Sequence, residues 1–169
     1  MNNRALSDYL LFVEAWCLLH FAKLVILLIP FKQIASRMGQ LQVESVHDLQ
    51  SLKEPIKIAH AVRRASRYTL HKSKCYDQAL SAKALLGQMG LPATIYFGLA
   101  KEGENQLSAH AWVRCGNTII TGKAGVERFT VVACFGDAWA GWFNFIFIES
   151  HIDKVFVTFD DLLKNHFYF

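Results

Sequence analysis

The amino-acid sequence predicts an α+β fold in which helices come first and an antiparallel sheet follows. Apolar residues recur at helical spacing in much of the first 90 residues, and apolar and polar residues alternate after Pro92. Gly116-Asn117 separates two alternating segments and is typical of a tight hairpin turn. The 169 residues, 53% of them hydrophobic, are enough for one domain with a sizeable core.

The helical half is divided by residues that stop helices. Pro30 ends the first apolar segment, and Gly90 ends the last. The segment 40–53 is polar and uneven and is predicted to be a loop with one turn at 46–49. The predicted helices cover 5–29, 31–39, 54–70 and 75–89.

Strands are predicted where apolar side chains alternate with polar ones. The second of them places His110 and Trp112 on one face and Ala109 and Ala111 on the other. The predicted strands cover 93–100, 108–115, 118–122 and 127–135.

Composition excludes several classes of function. The four cysteines contain no CxxC pair, so no metal site is predicted, and their spacing fits a reducing cytoplasm rather than a disulfide framework. The net charge of +4 comes without a dense basic block, so no nucleic-acid partner is predicted. The N-terminus lacks the layout of a signal peptide.

The apolar segment 15–31 admits two interpretations. His20 and Lys23 interrupt it, which favours a core helix over a membrane-spanning one. Alternatively, the segment lies on a membrane surface or on a partner protein, which would make this cytoplasmic protein membrane-associated.

Two residues point to nucleophilic chemistry. Cys75 opens a predicted helix, where Ser73 is a candidate N-cap and the helix dipole favours a thiolate. His110 follows 35 residues later on a predicted strand and can act as a base. Either residue alone is typical of a buried structural position. Their order and their elements together favour a cysteine enzyme without cofactors, of the papain-like or transglutaminase-like kind.

Further motifs resemble one family, the leader peptidases (B proteins) of lasso-peptide biosynthesis, which have a transglutaminase-like cysteine-protease fold. The matching residues are Cys75, Ala79-Leu80, Leu85-Leu86, Gly90-Leu91-Pro92-Ala93, Tyr96-Phe97-Gly98 and Ala109-His110-Ala111-Trp112-Val113. The resemblance also takes in Thr121-Gly122, Arg128 to Val132 and the apolar N-terminal helix that ends at Pro30-Phe31.

This resemblance implies a peptidase that removes the leader from a ribosomally made precursor peptide. Cys75 would attack the scissile carbonyl, with His110 as base and then as acid. A separate leader-recognition protein would present the precursor, and a lasso cyclase would take the released core peptide. The stand-alone catalytic form is expected, because a fused recognition domain would need about 80 more residues.

The chain is predicted to be a single domain, 1–169. Residues 5–70 form its helical N-terminal part, and 71–136 form the transglutaminase-like core. Residues 137–169 form a C-terminal extension with a candidate strand at 155–157 and a helix at 160–166. No function is predicted for this extension.

The chain departs from the family where a third catalytic residue is expected. Transglutaminase-like enzymes usually carry an Asp or Asn on the strand after the histidine, whereas residues 121–123 are Thr, Gly and Lys. Thr121, Asn117 and Asp137 are candidate orienting residues, and a backbone carbonyl is a further alternative.

Two other functions stay open. A Cys-His acyl transferase would use the same pair and pass the acyl group to an amine. A non-catalytic adaptor would use the apolar N-terminal helix to hold precursor and cyclase together, and the missing carboxylate favours it.

Overall fold

The computed structural model of the protein describes residues 3–45, 52–102 and 106–136. The α+β prediction is confirmed, since helices precede an antiparallel sheet in these ranges. The described helices are α1 (Asn3–Leu28), α2 (Phe31–Ala35), α3 (Lys53–Ala65) and α4 (Cys75–Gln88). The described strands are β1 (Gln40–Leu41), β2 (Thr94–Glu102), β3 (Gln106–Cys115), β4 (Thr118–Thr121) and β5 (Thr130–Gly136).

The sheet has the order β1-β5-β2-β3-β4, and every pairing in it is antiparallel. β3 and β4 form the hairpin predicted around Gly116-Asn117, and Gly116 takes the left-handed φ of 55° that such a turn requires. A register shift follows between Val113 and Arg114, because Ile120 is an extra residue on β4. This shift changes which residues face each other across the hairpin.

The helices cover one face of the sheet, and α4 lies in the middle of this layer. Leu80 and Leu85 of α4 are fully buried in the same apolar cluster as Ile95 of β2. Burial extends nearly all round α4, from Tyr76 to Leu86, because α1, α3 and the sheet all contact it. A helix buried in this way holds its first turn, and therefore Cys75, in a fixed place.

Even the one lysine of α4 is buried. The Lys83 ammonium donates to the carbonyls of Ala93 and Phe135, at 3.3 Å for Phe135. These carbonyls lie just before β2 and near the end of β5, so Lys83 ties the helix to two neighbouring strands. The sequence pattern does not reveal this contact, because a lysine inside a helix is ordinarily solvated.

Some predicted boundaries were wrong. Gln40–Leu41, predicted to be loop, forms β1 by pairing with Phe135 and Gly136. A two-residue strand is too short to show an alternating pattern, so only its tertiary partner defines it. The strand predicted from residue 127 begins at Thr130, because Val126–Arg128 form a short 3₁₀ turn.

Several predictions lie outside the described residues. They are the turn at 46–49, the extension 137–169 with its candidate strand and helix, and Asp137.

The N-terminal helix α1 is apolar on two opposite faces. Its inner face, with Ala15, Leu19 and Ile26, is buried in the core. Its outer face is solvent-exposed and carries Leu6, Tyr9, Leu10, Val13, Phe21, Leu24, Leu27 and Leu28. Among the described residues, Ala5–Leu28 is the one segment long and apolar enough to cross a membrane, a test that core helices of soluble proteins also pass.

Candidate active site

Cys75 is the first residue of α4, as the sequence predicted. The predicted cap is different, because the N-cap is Lys74 and the buried Ser73 hydroxyl has no hydrogen-bond partner among the described residues. The Asp77 carboxylate instead accepts the Lys74 N–H at 2.9 Å. A carboxylate in the first turn also complements the helix dipole, so Asp77 fixes where the helix begins.

Cys75 lies near the strand that carries His110. It packs, partly buried, against the core cluster that contains Ala111, the residue directly after His110. The backbone N–H groups of Ala111, Tyr76 and Cys75 itself act to lower the pKa of its thiol. The start of α4 is thus close to the part of β3 that carries the histidine.

Burial raises the pKa of the Cys75 thiol above its ordinary value, and the Asp77 charge raises it further against the lowering effect of the three N–H donors. The helix start was predicted to favour a thiolate. Desolvation is the larger effect, because Cys75 is partly buried against the core. The resting thiol is therefore protonated and needs a base before it can attack.

The contact of His110 with the chain defines its tautomer. Its Nε2 lies 2.8 Å from the carbonyl oxygen of Gly122. A carbonyl only accepts hydrogen bonds, so Nε2 carries the proton and donates it. In the neutral ring, Nδ1 is then unprotonated and free to take a proton.

Two aromatic rings hold the imidazole from its sides. Trp112 stacks on it at 5.9 Å between ring centroids, and the Phe129 ring lies at 4.9 Å. In the described part of the chain, the hydrogen bond of the His110 ring goes to Gly122, and none joins the ring to the Cys75 thiol. Proton transfer between them requires the closer approach that substrate binding commonly brings to a catalytic pair.

A further contact network anchors the loop that leads into α4. The Trp16 indole donates to the Tyr68 carbonyl at 2.9 Å, and the Leu70 N–H donates to His20 Nε2 at 3.1 Å. His71 Nε2 lies 3.4 Å from the Asp77 carboxylate. The loop before Cys75 is therefore held by α1 on one side and by the helix cap on the other.

The family model for the transglutaminase-like superfamily matches residues 17–134. The chain belongs to the transglutaminase-like superfamily. The matched range contains both Cys75 and His110, and members of the superfamily are commonly cysteine-dependent enzymes. Searches of curated proteins and of solved structures found no match to this chain.

None of the candidate orienting residues forms a hydrogen bond with His110 among the residues that the structure describes. Thr121 pairs with Val113 and does not lie opposite His110; the bulge at Ile120 moves it one residue further from His110 than a regular hairpin would. Its buried hydroxyl has no hydrogen-bond partner among the described residues. Asn117 lies in the β3–β4 turn, and Asp137 lies outside the described residues. The Gly122 carbonyl is the group that holds the ring.

The position of Gly122 requires a residue without a side chain. Its φ of +74° is strained for any side chain, and a Cβ there would lie 2.6 Å from the Ala111 oxygen. The Thr-Gly pair after the hairpin was the only signal in the sequence, and it does not show which carbonyl turns towards the ring. No group of three metal-ligating side chains occurs in the described ranges.

Proposed function

We propose that this protein is a cytoplasmic cysteine peptidase that removes the leader from a lasso-peptide precursor. The observation that carries the proposal is the place of Cys75 at the start of α4, which packs on β3, the strand that carries His110. Membership of a superfamily rich in cysteine peptidases and acyltransferases supports it. The lasso-peptide substrate rests on the motifs around Cys75 and His110 described above.

In the proposed reaction, His110 first accepts a proton and later donates it. Its free Nδ1 removes the thiol proton of Cys75, and the sulfur attacks the scissile carbonyl carbon. The C–N bond breaks, His110 gives the proton to the leaving amine, and a thioester remains. Water, deprotonated by the same nitrogen, then releases the acid and regenerates the thiol.

The three N–H groups around the sulfur have a second use. When the carbonyl carbon bonds to sulfur, its oxygen becomes an oxyanion close to the same donors. The Cys75 and Tyr76 N–H groups lie in the first turn of α4, where the N–H groups point towards the start of the helix and its dipole favours negative charge. These donors are therefore the proposed oxyanion site.

The proposed partners follow from this function. They are the precursor peptide, a separate leader-recognition protein and a lasso cyclase. The exposed outer face of α1 supports a peripheral contact with a membrane or with one of these proteins, because Leu24, Leu27 and Leu28 are all more than half exposed there.

The test is to incubate the protein with the precursor encoded beside its gene and the leader-recognition protein, and to weigh the products. Two fragments that sum to the precursor plus water, absent with Cys75→Ala, are expected. An adduct of the precursor with an amine would instead identify an acyl transferase.

A non-catalytic adaptor is the second candidate. The raised pKa of Cys75 and the lack of a thiol–imidazole hydrogen bond in the described residues favour it. An adaptor would support precursor maturation equally well with alanine at position 75, and no covalent species would form on it.

A further inference from the structure

One edge of β3 is open next to the candidate active site. β3 pairs with β2 along its length, from Glu102↔Gln106 to Thr94↔Arg114. β4 pairs with the other edge only from Val113 to Cys115. Among the described residues, the part of β3 before Val113 therefore has no strand on its β4 side.

The backbone groups of Ala111 show which residues face this edge. The Ala111 oxygen lies against Gly122, which follows β4, and Val113, two residues further on, pairs with Thr121 of β4. The backbone groups of Ala111 thus point away from β2. Backbone groups alternate between the two edges of a strand, so those of Ala109 and Leu107 point to the same open edge.

We infer that the substrate peptide binds as an added β-strand along this edge, paired with Leu107 and Ala109. The inference rests on the proposed peptidase function and names how its substrate is held. Among the described residues, this edge of β3 is unpaired by a strand from Leu107 to Ala111, and Cys75 packs against the core cluster that contains Ala111. An extended chain paired there therefore delivers a peptide bond to Cys75.

The open edge of β3 is short, which limits how many substrate residues can pair with it. At about 3.4 Å per residue, Leu107 lies about 14 Å from Ala111 along the strand. β4 occupies the edge from Val113 onwards, so added-strand pairing is confined to one side of the scissile bond.

The sharpest test changes the substrate and leaves the protein intact. The precursor from the neighbouring gene is made with single ester bonds in place of amides at about six positions on each side of the cut. Each ester removes one N–H donor. In strand pairing only every second peptide N–H faces β3, so kcat/KM should fall about three- to tenfold at alternate positions on one side. The positions between them should keep the value of the all-amide peptide.

A substitution in β3 tests the same pairing on the protein side. Leu107→Pro removes an N–H that faces the open edge, a position where a strand tolerates proline. Its Tm should stay within a few degrees of the wild type while KM for the precursor rises several-fold and kcat changes little.

The outcomes separate the two proposals. Cysteine-dependent cleavage with no two-residue period in the ester scan would overturn the added strand and leave the peptidase standing. If the unmodified precursor is not cleaved at all, the proposed function fails and this inference fails with it.

Discussion

At the scale of single residues, burial and backbone N–H groups act in opposite directions on the pKa of the Cys75 thiol. Three backbone N–H groups stabilise a thiolate at Cys75, and desolvation outweighs them. The sequence predicted the helix start and the histidine strand. It could not predict the depth of the thiol, because burial depends on how α1 and α3 pack over α4.

The raised pKa of Cys75 predicts a pH dependence. The folded protein holds the thiol proton at a pH where an ordinary thiol has lost it, so the thiolate fraction is small at pH 8 and still rises above pH 9. Alkylation of Cys75 by iodoacetamide, followed by peptide mass spectrometry, should accelerate over this range without reaching a plateau at pH 9.

Asp77→Asn is the matched variant. It removes the negative charge that raises the thiol pKa and keeps an oxygen that can accept the Lys74 N–H. Alkylation at pH 8 should become faster, with little change in Tm. An unchanged or slower rate would show that the Asp77 charge does not act on the sulfur.

At the scale of elements, the helix and strand types were predictable and their ends were not. Pro30, Gly90 and Gly116-Asn117 marked boundaries that appear in the structure, because each residue restricts the backbone locally. The bulge at Ile120 had no such marker. It shifts Thr121 from the position opposite Trp112 to the one opposite Val113, and the Gly122 carbonyl accepts the hydrogen bond from His110.

Gly122→Ala tests that role of the hairpin. Alanine at φ +74° would be strained and would meet the Ala111 oxygen at 2.6 Å and the Trp112 Cβ at 2.8 Å. Gly90→Ala is the control, because Gly90 has a similar φ of +68° with nothing within 4 Å of its Cβ.

Gly90→Ala should cost about 1–2 kcal/mol in unfolding free energy from backbone strain alone. Gly122→Ala should cost about 1–3 kcal/mol more because of the overpacking, and it should also lower kcat. Denaturant unfolding and the precursor assay measure these effects. Equal effects of the two substitutions on stability and turnover would contradict the assigned role of Gly122.

At the scale of the whole molecule, the described chain is a helical layer on a five-stranded antiparallel sheet, with the candidate site where the start of α4 meets β3. Periodicity predicted the order of helices and strands. It could not predict the strand order β1-β5-β2-β3-β4, because β5 pairs with strands distant in sequence.

The two apolar faces of α1 predict contrasting effects of the same substitution. Leu24 is 54% exposed on the outer face, whereas Leu19 is fully buried. Leu24→Lys should change the unfolding free energy by less than about 0.5 kcal/mol. Leu19→Lys should cost more than about 3 kcal/mol or prevent folding, because it buries a charge in the core. Similar losses in both variants, measured by denaturant unfolding, would show that the outer face is covered in the folded protein.

The most direct test of the central claim is the intact mass of the protein, acid-quenched during turnover of the precursor. A hydroxylamine-sensitive acyl adduct that maps to the peptide containing Cys75 is expected in the wild type and not in Cys75→Ala. Precursor cleavage that continues in Cys75→Ala, with no covalent species on the wild-type protein, would contradict it.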